Sequence, residues 1–335
     1  MPHSDLYVTK RIGLVYCVIY LTVYPWTPVT RLLLGDAPQQ LSSAREKFYR
    51  AQADKIEGNQ IFTARKWALG ERQYASPALR DEEGSVYATP VEKRRVLQQT
   101  LIPDRNFENP VVVFDQLPDR AAAADHHPVT RQELRATVWA AAPDKVPGAD
   151  EITERAIREG WESLEDPLFS LATACLEIGY VPAPFRHAIL SVMRKGDNRD
   201  PSLARSYRLI ALLPVLGKVL EKIVASRVTW LAQERGVVPW TQFGGVPHRS
   251  TTDAGMLTFD IVGAFDNPDP GRLIRMLWKS GFPAPLVRFV AWWLRQRSAQ
   301  IKLDGVVGDH FAHTSGLPQG SPLSLICFVI YASPL

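Results

Sequence analysis

Two short stretches of this sequence carry residues whose types and spacing could do chemistry. The first, residues 257–267 (LTFDIVGAFDN), is an apolar run interrupted by Asp260 and Asp266. Asp260 stands between Phe259 and Ile261 in a segment with the composition of a strand, where a carboxylate costs energy unless it has a partner. Two readings are open: a ligand for a hard divalent cation, aimed by a rigid strand, or an edge-strand residue facing water. The second stretch is residues 316–321 (GLPQGS). Gly316 and Gly320 permit backbone angles that other residues avoid, so the chain can approach a ligand closely. Ser321 can cap the helix that Pro322 opens, and free amides at such a corner favour an anion. Taken alone, that loop is a common strand–turn–helix corner.

The surrounding pattern supplies the elements that must position these groups. A basic amphipathic helix is expected over 41–70, and residues 71–128 read as a proline-rich linker with a short helix near 91–100. Helices follow at 130–142 and 151–179. Residues 185–195 (FRHAILSVMRK) have the β-branched content of a strand. Residues 207–236 begin as a strand and become a long helix, with Gly217 marking the change and Leu220, Ile223, Val224, Val228 and Leu231 at helical spacing. Asp269-Pro270 starts a helix that Gly281 stops, and Pro285 opens another to Gln296. Residues 299–313 form a hairpin about an Asp304-Gly305 turn. There is no internal repeat, P-loop, GxGxxG, HExxH or GxSxG, and strands and helices mix without a βαβ rhythm, so an α+β fold is expected.

The 335 residues carry a net charge of +4 that is unevenly spread. Residues 186–227 hold nine Lys/Arg against three Asp/Glu, residues 271–302 seven against none, and the interval between them two against five. Two basic surfaces flanking an acidic patch suit a polyanion held beside a metal-binding carboxylate, although solvated helix faces give the same counts. Cys17, Cys175 and Cys327 are far apart with no paired spacing, which argues against a disulfide framework or zinc site and fits a reducing compartment. Residues 12–30 carry no charge, yet two prolines, three threonines and many β-branched residues favour an apolar strand or sequence foreign to the main fold over a membrane anchor.

Five blocks, in order, go further. "VPAPFRHAILSVMRKGDNRD", "SYRLIALLPVLGKVLEKIVASRV", "TQFGGVPHRSTTDA", "FDIVGAFDN" and "GLPQGSPLSLICFVIY" span residues 181–331. Together they resemble the reverse transcriptase of LINE-type, non-LTR retrotransposons. The resemblance implies an RNA-directed DNA polymerase, a nucleotidyltransferase with right-hand fingers (129–259) and a partial palm (260–335), preceded by an apolar lead (1–40) and a helical linker region (41–128). By the same resemblance, Asp260 is the catalytic aspartate and holds Mg2+ with help from the Ile261 carbonyl. Phe265 lies beneath the sugar and excludes a 2′-hydroxyl, Lys195 and Arg208 grip the triphosphate, and Gln319 and Gly320 contact the incoming nucleotide. Arg249 and Ser250 contact the template, while Asp266 supports the strand. The implied partners are an RNA template, a DNA primer and deoxynucleoside triphosphates, in the nucleus or cytoplasm.

The sequence also departs from that pattern. The family's Tyr/Phe-x-Asp-Asp hairpin and its thumb do not occur in these 335 residues, which predicts an incomplete metal site and no polymerisation, since two metals need several oxygen ligands each. Only five residues separate Ala254 from Asp260. "KVPGADE" (145–151) and "YRLIA" (207–211) replace more regular family sequences. A final helix over 323–331 is expected to leave an apolar face without a partner. The alternative reading is a non-catalytic remnant that binds nucleic acid.

Overall fold

The computed structural model describes residues 76–333 apart from 82, 103–104, 106, 119–122, 197, 247–262 and 314–315. The apolar lead, the helix expected over 41–70, Arg249, Ser250, Asp260 and Ile261 therefore lie outside the described residues. Every element named below belongs to the unit Pro77–Leu335.

Prolines that read as loop punctuation start helices. α1 (Pro90–Leu101) begins with Thr89 and Glu92 in a reciprocal capping box, and α2 (Pro110–Asp115) with Asn109 capping the amide of Val111. In each case proline occupies a first-turn position whose amide has no helical partner anyway. α3 (Arg131–Trp139) and α4 (Glu154–Glu159) are capped by Thr130 and Thr153. The helix expected over 151–179 is interrupted at Gly160, which ends α4 and precedes α5 (Trp161–Ile178).

The sheet is mixed. β3 (His187–Arg194) pairs antiparallel with β4 (Tyr207–Leu212), placing Met193 opposite Arg208. β5 (Ser298–Leu303) pairs with β3 in parallel, placing Ser191 opposite Lys302. The far edge of β5 takes β6 (Val306–Val307) and β7 (Phe311–Ala312), both antiparallel. Asp304 and Gly305, both at positive φ, make the expected tight turn between β5 and β6. β1 (Leu79–Arg80) and β2 (Val86–Tyr87) form a separate two-stranded antiparallel sheet.

Alternation along β5 is clean: Ala299, Ile301 and Leu303 are buried, whereas Gln300 is half-buried and Lys302 exposed. The buried face joins Ala188, Leu190, Ala211 and Leu213 in one cluster. A neighbouring cluster sets Leu79, Val96 and Leu97 against Ala204, Tyr207 and Leu303. Residues 79–101, read from sequence as linker, thus close one face of the sheet, and the Lys93 ammonium donates to Asp304 at 3.0 Å to tie α1 to the β5–β6 turn.

α6 (Val215–Glu234) is the central helix. The strand-to-helix change falls at Pro214, not at Gly217. Gly217 is instead inside the helix, where a β-carbon would come within 3.1 Å of Phe185, so close packing explains the small residue. α6 packs against α3, α5 and α9 (Pro322–Ala332). α7 (Pro270–Lys279) and α8 (Ala284–Leu294) pack on each other and on α2.

The last helix departs from expectation. α9 is not left bare: Leu323, Ile326, Cys327, Val329 and Ile330 are buried, largely against α6 and α7, while Leu325 remains about half exposed. At about 2 kcal/mol for each large apolar side chain removed from water, this face stabilises the unit rather than threatening it. Cys175 and Cys327 are free, buried thiols.

Candidate nucleotide and nucleic-acid site

The β3–β4 hairpin positions the first two candidates. Beyond Arg194 the ladder continues for one residue, the Lys195 amide donating to the Ser206 carbonyl at 2.8 Å. Side chains two apart on a strand share a face, so Met193, Lys195 and the facing Arg208 project from the same side. Lys195 and Arg208 are both exposed. Parallel pairing of β5 adds Lys302 to that side, opposite Ser191. Lys302 escaped the motif comparison, yet its place in a period-two strand could have revealed it.

The 316–321 loop docks on the outer edge of β4. The Ala211 amide points away from β3 and donates to the Gln319 carbonyl at 2.7 Å. Gly320, at φ +123°, lies so close to the Ala211 carbonyl that a β-carbon would approach it to 2.6 Å. At the loop's other end, Gly316 has φ +60°, and a β-carbon there would be 2.2 Å from the Phe265 carbonyl. The Leu317 amide donates to that same carbonyl at 2.6 Å. The loop is therefore wedged between β4 and the turn 263–267, and its glycines are demanded by backbone contact. Ser321 caps α9 through the Leu323 amide at 3.1 Å, with Pro322 in the first turn, as the residues predicted.

Phe265 belongs to the turn 263–267, its ring 5.7 Å from that of Phe328 on α9. Asp266 follows it. The residue keeps exposed surface, but its carboxyl lies deep enough that burial raises its pKa, and the nearby charge of Lys195 opposes the rise. Lys195, Arg208, Phe265, Gln319 and Gly320 are thus gathered around β4 and the two loops beside it. Asp260 and Ile261 precede the turn in sequence but lie outside the described residues. Among the described residues no group of three or more His, Cys, Asp or Glu is placed to hold a metal ion.

Not every cation in the two basic stretches serves a surface. Arg186 and Arg297 are buried. Arg227 forms a forked pair with Glu133, at 2.7 and 3.0 Å, and also donates to the carbonyls of His127 and Pro128. Arg275 is paired with Glu108. Beneath the loop, Glu221 of α6 is 1% exposed and accepts a hydrogen bond from the Ser321 hydroxyl. Burial pushes its carboxyl up to about 7, against Ser321, the Trp293 indole and the charges of Lys218 and Arg297. Arg297 donates to the Gly316 carbonyl at 2.6 Å, and burial lowers its guanidinium to about 10, with the charge of Glu221 opposing. Glu221 was missed, although a glutamate at i+4 from Gly217 and i−4 from Ala225, on the apolar stripe of a helix, signals a buried carboxylate.

Residues 193–335 match the family of reverse transcriptases (RNA-dependent DNA polymerases). Over 226 residues the chain is 28% identical to the RNA-directed DNA polymerase from mobile element jockey of Drosophila melanogaster, covering 62% of this chain and 24% of that protein. It is 31% identical over 174 residues to a putative 115 kDa protein in the type-1 retrotransposable element R1DM of the same organism, covering 51% of this chain and 16% of that protein. A third relative, the retrovirus-related Pol polyprotein from type-1 retrotransposable element R1 of Bradysia coprophila, is 34% identical over 139 residues, 37% of this chain and 14% of that protein. The chain spans about a quarter or less of the length of these relatives. Residues 193–335 are thus similar to a reverse transcriptase domain. By their names, the relatives come from mobile and retrotransposable elements.

Proposed function

We propose that this chain contributes fingers and part of a palm to RNA-directed DNA synthesis by a non-LTR retrotransposon, with an RNA template, a DNA primer and deoxynucleoside triphosphates as substrates. The observation that carries the reading is the Ala211–Gln319 backbone bond, which sets the 316–321 loop on the same short strand as Arg208. Phosphoryl transfer asks the protein for positioning and charge neutralisation more than covalent help. In this reading Lys195 and Arg208 hold the triphosphate, Gln319 and Gly320 form the floor beside the base pair, and Phe265 blocks a 2′-hydroxyl. Asp260 and the Ile261 carbonyl would hold magnesium, which when bound neutralises the charge on the phosphates; Arg249 and Ser250 would meet the template.

The test is retention of labelled dTTP by the chain with an oligo(dT)-primed poly(A) template and magnesium. Retention should exceed that of UTP, fall at least about tenfold in Arg208→Ala, and lose its preference for the deoxy sugar in Phe265→Ala. Equal retention by wild type and Arg208→Ala would count against the reading. A second reading, binding without chemistry, is favoured by the exposed Lys195, Arg208 and Lys302 on one sheet face. It predicts salt-dependent RNA binding that Asp260→Ala leaves unchanged, with no selective retention of dTTP.

A further inference from the structure

We propose that Glu221 is a positioning residue for the 316–321 loop, acting through Ser321 while Arg297 holds the loop's other end; the consequence for nucleotide binding rests on the polymerase reading above. Both ends of the six-residue loop are fastened by buried ionisable side chains from elsewhere in the fold. Ser321, at the C-terminal end, donates to Glu221 from α6. Gly316, at the N-terminal end, accepts from Arg297, which precedes β5. Both side chains lie almost wholly out of water, and each acts electrostatically on the other.

Such a placement is costly unless the charges offset one another and their hydrogen bonds are used. An apolar residue at 221 would pack in α6 at lower cost, since its neighbours Leu220, Val224 and Ala225 are buried and apolar. A buried carboxylate specifies geometry where an apolar contact does not: only one rotation of the Ser321 hydroxyl satisfies it while the same oxygen accepts from the Leu323 amide. With both ends fixed, the intervening Gln319 carbonyl is held on the Ala211 amide and Gly320 against the Ala211 carbonyl. Helix α6 thereby sets the distance between this loop and the exposed Arg208, three residues earlier on β4.

The test is hydrogen–deuterium exchange on the full chain, read in peptides covering 207–213 and 316–323, with α5 as an internal reference. Glu221→Ala should speed exchange in both peptides at least about tenfold while α5 keeps its protection. Glu221→Gln, which retains an acceptor for the Ser321 hydroxyl, should restore exchange to within about threefold of wild type. Ser321→Ala should deprotect the 207–213 peptide alone or together with Glu221→Ala to the same extent, because the two changes cut one link. Retention of dTTP on the primed template should fall in Glu221→Ala and return in Glu221→Gln, with affinity for the primed template itself unchanged. Wild-type exchange in Glu221→Ala, or a Glu221→Gln variant as unprotected as Glu221→Ala, would overturn the assignment. Exchange is measured without nucleotide or nucleic acid, so a chain that shows the loop effect but retains no dTTP leaves the positioning role standing and removes the polymerase reading.

Discussion

Glu221 and Ser321, a hundred residues apart, meet through a hydrogen bond with both side chains buried. One lies on the central helix and the other caps the last, so the bond joins two sequence blocks that carry no local signal of each other. Its chemistry gives the fold a pH-sensitive interior.

Stability should depend on pH through two opposed groups in that interior. Glu221 titrates at about 7 when folded, above the ordinary 4.5. The folded state therefore binds more protons than the unfolded state between those values, and the Glu221 contribution falls as pH rises from about 4.5 to 7. His313, driven down to about 3 by burial and by Arg297, stays neutral when folded but charges below 6.5 when unfolded. Its contribution is lost as pH falls from about 6.5 to 3. Lys218, Arg297, Ser321, Trp293 and Cys327 all act on or face the same carboxyl. Urea unfolding of wild type and Glu221→Gln across pH 4–8 should show wild type losing ground to the variant as pH rises, by on the order of 3 kcal/mol. A pH-independent difference would contradict a raised Glu221.

Gly316→Ala should be among the costliest single-methyl additions in the chain. It combines a left-handed backbone, φ +60°, with a β-carbon 2.2 Å from the Phe265 carbonyl. Backbone strain alone costs about 1–2 kcal/mol, and the clash is with main chain that cannot swing aside. A loss of at least about 3 kcal/mol in urea unfolding is expected. A loss under 1 kcal/mol would show that the loop does not rest on the 263–267 turn.

Arg227→Ala should cost about 2–3 kcal/mol, whereas Arg155→Ala should cost less than about 1 kcal/mol. Both arginines pair with a carboxylate, but the Arg227 side chain is 16% exposed and its partner 30%, against 55% and 71% for Arg155 and Asp144. Solvent screens the second pair, and only Arg227 also holds two carbonyls of the 127–128 segment. Arg227→Lys should recover less than half the loss, since an ammonium cannot reproduce the fork. Denaturant midpoints of the three variants check the ranking.

Binding to a homopolymeric RNA should weaken with salt, and Lys302→Ala should reduce the slope of log K against log salt by about 0.7, as expected for one phosphate contact on a single strand. Arg208→Ala should act alike. An unchanged slope in Lys302→Ala would remove the β5 side of the sheet from the binding face.

Much of this protein is written in local sequence. The Asp269-Pro270 and Ser321-Pro322 starts, the Asp304-Gly305 turn and the alternation of residues 298–303 are decided by backbone chemistry within a few residues, and each forms where the residues say. The motif letters also singled out Lys195, Arg208, Phe265, Gln319 and Gly320 as candidates, and the structure gathers these five around β4 and the two loops beside it. Pro110 misled for an equally local reason: proline breaks one helix and begins another with the same fixed φ.

What the chain order could not decide is which of these pieces touch. Parallel pairing of residues 187–191 with 298–302, more than a hundred positions away, puts Lys302 beside the hairpin cations, and nothing in either strand names its partner. The final helix reads as an exposed apolar rod until α6 and α7 cover it. Glu221 reads as one more helix glutamate until burial and Ser321 give it a partner. Periodicity and capping are properties of neighbours along the chain, whereas burial, charge pairing and loop seating arise from contacts whose entropy cost is met only when the whole unit closes.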